Sequence, residues 1–562
     1  MPEFSRSEFL KLAGVGLAGM AVPFPALGDS VQSQAASGKA TEEQIKTALK
    51  LANLSFNDDE VKEMVDSVNS FGEWWPPLRE ATSDAGFMGM AYRIYGGPPA
   101  GMRPPQTTIY AVPRTVKRPQ KDEDLAFMEI GDLTALIRSK QVTSTDLTKL
   151  YLARLKTYGP KLKCVVTLTE ERALAKAAEI DKLIAEGRIL GPLAGIPFGV
   201  KDLFDAQGTP STWGIRTRRD HVATEDSDVV KLLDQAGAVL VAKLSLGALA
   251  MGDVWFEGRT ESPWDKNIGS SGSSAGSGSA VAAGLVAFAI GTETNGSIVS
   301  PSHNCRVTGL RPSFGSISRA GAMALCWSLD KVGPICRTAE DCATVFAALC
   351  RNMGTDPSNI ERDFIYRQTS KLDEFKWGYM VFREEDLEKP LDDANRPWLK
   401  VLREAGVDPT PFYMPEYPEA INAILFAECS AAFEEFTRSA DIQDLESYSS
   451  WPETFRSGRL IPAVEYIQAD RFRPILRDIY LEVLSPFEIV IADDRLYPRL
   501  IGLNATGIPQ TLIPAGVDAR GRARSFSLVS KPFEEGKMLA AAQALQNKLG
   551  FHKLRPDMSI WA

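Results

Sequence analysis

Histidine is nearly absent from this chain: His221, His303 and His552 are the only three in 562 residues. A Ser-His-Asp arrangement would have to draw on one of them. No two stand at a metal-ligand spacing such as H-x-x-x-H, and the seven cysteines include no C-x-x-C pair, which removes the common zinc patterns, so neither a metal nor a cofactor is expected. A basic excess is missing as well. Lys and Arg total 63 against 72 Asp and Glu, a net charge of −9, whereas a phosphate backbone has to be neutralised by lysine and arginine. Nucleic acid is therefore not expected as a direct partner. Cys164, Cys305, Cys326, Cys336, Cys342, Cys350 and Cys429 are odd in number and scattered through apolar stretches, a pattern of buried reduced thiols rather than of a disulfide framework.

The N-terminus reads as a targeting segment over residues 1–35. Ser5-Arg6-Ser7-Glu8-Phe9-Leu10-Lys11 precedes an apolar, small-residue run from Leu12 to Leu27 and then a Gln/Ser/Ala-rich stretch, the layout of a secretory signal. It resembles a twin-arginine leader in which Ser7 replaces the second arginine. Pro23 and Pro25 would break an amphipathic helix there. The expectation is export to the periplasm or another extracytoplasmic space, with no stable membrane insertion after processing; without a working leader the chain is cytoplasmic.

Residues 41–95 form a helical extension. T-E-E-Q at Thr41 offers a capping box, and Ile45, Leu49, Leu51, Leu54, Val61, Met64 and Val65 recur at helical spacing. Such a pair of helices must dock on something. Residues 96–126 are a proline-rich linker with few options for regular structure. From 127 to 353 the spacing predicts helices through Leu133–Ile137 and Leu147–Leu155, the second capped by Ser144, and through Ala173–Glu186 and Val229–Ala236. Ile196–Leu203 and Ala238–Ala242 read as continuous apolar strands between them. Continuous apolar strands separated by helices argue for an α/β protein whose sheet is covered on both faces. Residues 354–486 are charged, aromatic and irregular, a variable lobe in which only helical stretches such as Ala420–Thr437 stand out. Residues 487–562 return to sheet-like sequence at Ile489–Ala492 and Gln510–Pro514 and end in the helix Glu534–Leu549.

Two serines and a lysine in glycine-rich settings, Ser297 in G-T-E-T-N-G-S-I, Ser273 in S-G-S-S-A-G-S and Lys201 in G-I-P-F-G-V-K-D, make a nucleophile system that needs no histidine. Ser277–Gly284 reads as a small-residue helix and Val286–Ile290 as a buried strand ending at Gly291, so the following turn delivers Ser297 at a strand end. Backbone N–H groups of Thr294, Asn295, Gly296 and Ser297 in that turn can converge on an oxyanion.

These motifs, with S-P-W at Ser262, G-L-R-P-S-F-G at Gly309, L-D-K-V-G-P-I-C-R-T at Leu329 and N-A-T-G-I-P-Q-T-L-I-P-A-G near the C-terminus, resemble the amidase signature enzymes from about Ile130 to Leu549. The resemblance implies an α/β/α layered fold with a central mixed sheet covered by helices. It also implies hydrolysis of a non-peptide, linear amide C–N bond of a small molecule, with Ser297 as acyl-forming nucleophile, Ser273 as bridge, often through a cis peptide bond, and Lys201 as base. An ammonium cannot accept a proton, so Lys201 must be held neutral, which burial achieves. Three positions depart from the family pattern: Asn295 stands in place of a glycine, Val299 of an arginine and Ala275 of a glycine. Asn tolerates the left-handed backbone that such a turn would ask of it.

Rival readings remain. Gly272–Gly276 satisfies G-x-S-x-G, but a polar loop precedes it instead of an apolar strand. The glutaminase subunit of a transfer-RNA amidotransferase belongs to the same family, and a catalytically silent binding protein could keep the fold. Homodimerisation is left open.

Overall fold

Short runs of Val, Ile, Phe and Ala that are buried on both faces build the centre of the molecule. The computed structural model describes residues 39–81, 106–111, 114–188, 190–392, 396–445 and 449–561. The segment read as a leader, 1–35, and the first part of the proline-rich linker lie outside them. Eleven strands form one sheet: β1 (Val165–Leu168), β2 (Pro197–Lys201), β3 (Val239–Leu244), β4 (Phe288–Glu293), β5 (Thr308–Arg311), β6 (Lys331–Cys336), β7 (Trp377–Val381), β8 (Thr410–Tyr413), β9 (Ile489–Asp493), β10 (Gln510–Val517) and β11 (Ala523–Val529). Their spatial order is β8-β7-β9-β11-β10-β5-β6-β4-β2-β3-β1.

The sheet is mixed. β2 runs parallel to β3 and β4, β4 antiparallel to β6, and β7 parallel to both β8 and β9. Helices Ser144–Leu162, Glu170–Ala185, Ala339–Leu349 and Glu535–Leu549 pack against it. β2, β3 and β6 are buried over their whole length, as strands between two helical layers are. The predicted α/β layering with a mixed central sheet is what the chain adopts.

Several local expectations need correction. The lobe 354–486 is not only helical, because W-G-Y-M-V (β7) and T-P-F-Y (β8) extend the central sheet at one edge. These strands are short and flanked by charge, so no alternation announces them; their aromatic and β-branched content is what fits a pleated, buried surface. In the linker, Thr107–Tyr110 pairs in parallel with Phe364–Arg367. The helix at Ser144 is capped by Thr143, whose Oγ1 accepts from the Asp146 N–H at 3.0 Å; Ser144 is buried and donates to the Gly195 carbonyl at 3.2 Å. β4 runs on through Glu293, beyond the expected end at Gly291.

The N-terminal pair, Glu42–Leu51 and Asp58–Ala81, starts on the capping box formed by Thr41 and Gln44. Ile45, Leu49, Val61 and Met64 bury against one another, whereas Leu51 is 87 % exposed. The second helix docks on the lobe: Phe71, Trp75 and Leu78 share an apolar cluster with Ile424, Phe472 and Leu476, and the Trp74 ring stacks on Phe426 at 5.8 Å. Arg456 ties the lobe back to Glu60 at 2.7 Å and Glu63 at 3.2 Å. Among the described residues no helix is long and apolar enough to cross a membrane. Truncating a buried Phe costs about 3–5 kcal/mol, so Phe71→Ala should lower the thermal transition by several degrees; an unchanged melting curve would show that the extension contributes no packing.

Candidate active site

Lys201 closes β2, a strand whose Gly199 lets β3 approach closely: a Cβ there would lie 2.5 Å from Leu244 Cδ1. The Lys201 side chain has no exposed surface. Its Nζ lies 2.7 Å from Ser273 Oγ and 2.9 Å from Thr292 Oγ1 on β4. Burial pushes this amine down to about 7, a fall that Asp330 and Glu293 only partly offset. Two of the three predicted residues are thus in direct contact, and Thr292, which lies within G-T-E-T-N-G-S-I but has no role there on sequence alone, is a third partner.

Ser273 sits in the loop before the helix Ala275–Ala282, after a cis peptide bond from Gly272. Gly272 has to be glycine, because a Cβ there would meet the Gly252 carbonyl oxygen at 1.7 Å. Ser274 pins the loop to the neighbouring turn: its N–H donates to the Ser297 carbonyl at 3.1 Å, and its hydroxyl bridges the Thr292 carbonyl at 3.1 Å and the Thr292 N–H at 3.2 Å. Ser297 is therefore held beside Ser273 through backbone. Its hydroxyl, 8 % exposed as a residue, makes no hydrogen bond among the described residues to Ser273 or Lys201.

The turn Thr294–Ile298 is organised by a carboxylate that the sequence does not single out. Glu293 is fully buried and accepts from the Ile298 N–H at 2.9 Å, the Val299 N–H at 3.1 Å and Asn504 Nδ2 at 3.1 Å. It also pairs with the equally buried Arg311 at 3.1 Å. Burial alone would raise its pKa, but Arg311, the Ile298 N–H and Asn504 hold it below the ordinary carboxylate value. The signal was in the sequence as G-T-E and G-L-R, but nothing local says that the two side chains meet across β4 and β5.

Thr294 is buried and its hydroxyl donates to Asp330 Oδ1 at 2.5 Å. Asn295 is exposed and does not use the left-handed conformation foreseen for it; the positive φ, +90°, falls on Gly296. Among the described residues no protein acceptor takes the N–H of Asn295, Gly296 or Ser297. Val299 packs with Leu500 and Leu512 in a small apolar cluster, so the charge absent at this position is replaced by core. Ala275 is buried in the first turn of its helix.

A family model for amidases matches residues 146–469. The chain belongs to the amidase family. Over 493 residues, 77% of this chain and 100% of the relative, it is 27% identical to the A subunit of the glutamyl-tRNA(Gln) amidotransferase of Carboxydothermus hydrogenoformans. Its fold matches the native peptide amidase of Stenotrophomonas maltophilia with a TM-score of 0.66, at 26% identity, over 75% of this chain and 97% of that one. A structure described as a vestigial protein complex that reveals the origins of an s-triazine catabolic enzyme matches with a TM-score of 0.67 at 28% identity, over 75% and 98% of the two chains.

The histidines lie elsewhere: His303 Nδ1 pairs with Ser525 Oγ at 2.7 Å, and His552 Nε2 is 3.8 Å from Glu129. All seven cysteines are free and buried. A cleft of about 480 Å³ lined by Asn57, Glu60, Glu63, Glu453 and Arg456 is separate from the serine–lysine cluster. Removing one partner of a buried ion pair costs about 3–5 kcal/mol, so Glu293→Gln should lower the thermal transition markedly by leaving Arg311 unpaired. A melting temperature within a degree of the parent would mean that this carboxylate does not organise the turn.

Proposed function

We propose that this amidase hydrolyses a carbon–nitrogen amide bond of a small molecule through an acyl-enzyme on Ser297, with Ser273 relaying a proton to Lys201. The observation that carries the reading is the fully buried Lys201 amine 2.7 Å from Ser273 Oγ. In its neutral form, which burial favours, the amine accepts the Ser273 hydroxyl proton while one N–H donates to Thr292. Ser273 in turn takes the Ser297 proton as Ser297 attacks the carbonyl, and the same path returns the proton to the leaving amine. The free N–H groups of Asn295, Gly296 and Ser297 suit the developing oxyanion. Water then hydrolyses the acyl-enzyme by the same steps.

A second reading has its own support. Curated relatives aligned over most of this chain are named as the A subunit of glutamyl-tRNA(Gln) amidotransferase, which favours glutamine as the amide and a protein partner as receiver of the ammonia. The acyl chemistry is common to both readings. They separate on whether glutamine is hydrolysed in preference to other amides.

Ser297→Ala should abolish turnover without lowering the melting temperature; retained amidase activity would remove Ser297 from the nucleophile's role, and a parent chain that cleaves no amide or ester would favour a silent binding protein. Since the reactive form of Lys201 is the neutral one, its fraction grows as pH rises through about 7. Turnover should therefore climb about tenfold per pH unit below that value and level off above it. A profile flat from pH 5.5 to 8 would contradict Lys201 as base. Lys201→Ala should cost more on an amide than on an activated ester, whose leaving group needs no proton; equal losses would count against its acid role.

A further inference from the structure

We propose that Glu428, on the lobe helix Asn422–Ala432, is a positioning residue for the reaction and acts through the segment Leu325–Asp330 on the turn that carries Ser297. The inference rests on the acyl-enzyme reading and extends it to the lobe, where sequence alone assigned no role.

Glu428 is buried and gathers donors from both of its oxygens. Oε2 accepts from the Ser328 N–H at 2.9 Å and from Cys326 Sγ at 3.2 Å; Oε1 accepts from Ser328 Oγ at 2.5 Å and from the Tyr466 hydroxyl at 3.0 Å. Burial and the adjacent carboxylate keep the Cys326 thiol protonated, so it is a donor here. Arg473 grips the same residue from the other side, donating to the Ser328 carbonyl at 3.1 Å and to Ser328 Oγ at 2.8 Å, with Asp470 at 3.2 Å as its counter-charge. The segment so fixed has little freedom.

Its next contacts lead to the reacting turn. The N–H groups of Leu325 and Cys326 donate to Asp330 Oδ2 at 2.8 and 3.0 Å, and Asp330 Oδ1 takes the Thr294 hydroxyl at 2.5 Å. The Lys331 amine closes the loop on the Leu329 carbonyl. An unbroken chain of hydrogen bonds therefore runs from a lobe helix to Thr294, three positions before Ser297. Glu428 has no hydrogen bond to Lys201, Ser273 or Ser297 among the described residues, and this path is the hydrogen-bonded route from it to the turn. A carboxylate that only fastened the lobe to the core would affect stability without being coupled to Thr294.

The test measures how fast a small alkyl fluorophosphonate labels Ser297 in the full chain, a readout independent of the natural amide. Glu428→Gln keeps the shape but presents an NH₂ group to one set of donors. It should slow labelling at least about fivefold with the melting temperature nearly kept, as should Thr294→Val, and the double variant should be no slower than the slower single variant within about twofold, because contacts in one network are not additive. Should Glu428→Gln fail to fold, Ser328→Ala takes its place in the same cycle. Labelling at the parent rate, or losses that multiply in the double variant, would overturn the relay while leaving the acyl-enzyme reading intact. A parent chain that takes no label at Ser297 would overturn that reading and the relay with it.

Discussion

The contact between the Lys201 amine and the Ser273 hydroxyl, 2.7 Å apart with no water-accessible lysine surface, sets the terms for everything around it. An ammonium buried without a carboxylate partner is expensive, so burial favours the neutral amine and lowers its pKa to about 7. The surrounding structure keeps the nearest carboxylates occupied elsewhere: Glu293 is engaged by Arg311, Asn504 and two backbone donors, and Asp330 by Thr294 and two more. A neighbouring pair shows the alternative. Lys243 and Asp202 are equally buried but lie 2.8 Å apart, so that lysine faces a carboxylate directly, although burial still raises Asp202 above the ordinary carboxylate value.

The two acidic residues do double duty. Glu293 shapes the turn from behind by binding the N–H groups just after Ser297, and Asp330 fixes it from the side through Thr294. The three N–H groups between these anchor points are left without protein acceptors among the described residues. On the proposed reading, preorganised donors of this kind would cost no rearrangement when charge develops on the substrate.

Beyond the core, the lobe and the N-terminal helices form one mechanical unit. Aromatic packing of Phe71 and Trp74 on Phe426 holds the helix that presents Glu428, and the Arg456 pairs with Glu60 and Glu63 fasten the lobe helix Trp451–Ser457. Trp451 reaches the core separately by donating to the Leu249 carbonyl at 3.0 Å. The segment from Leu249 runs on to Gly252, whose carbonyl abuts Gly272. The lobe thus reaches core segments on both sides of the serine turns, although no part of it was legible as more than helix and aromatic residues.

What the sequence alone determined was the chemistry-bearing part: the glycine-rich turns, the buried apolar strands and the lysine at a strand end, because local backbone demands and burial leave marks on neighbouring residues. The helix after Ser273 was readable in this way, whereas the placing of Lys201 beside Ser273 was implied by the resemblance to the amidase signature enzymes. Only tertiary structure decided that Glu293 meets Arg311, that Thr292 and Asp330 complete the surroundings of the lysine and the turn, that Thr143 rather than Ser144 caps its helix, and that Trp377–Val381 and Thr410–Tyr413 extend the sheet. Those outcomes depend on partners far apart in the chain, and a charged or short aromatic segment carries no periodic signal that names its partner.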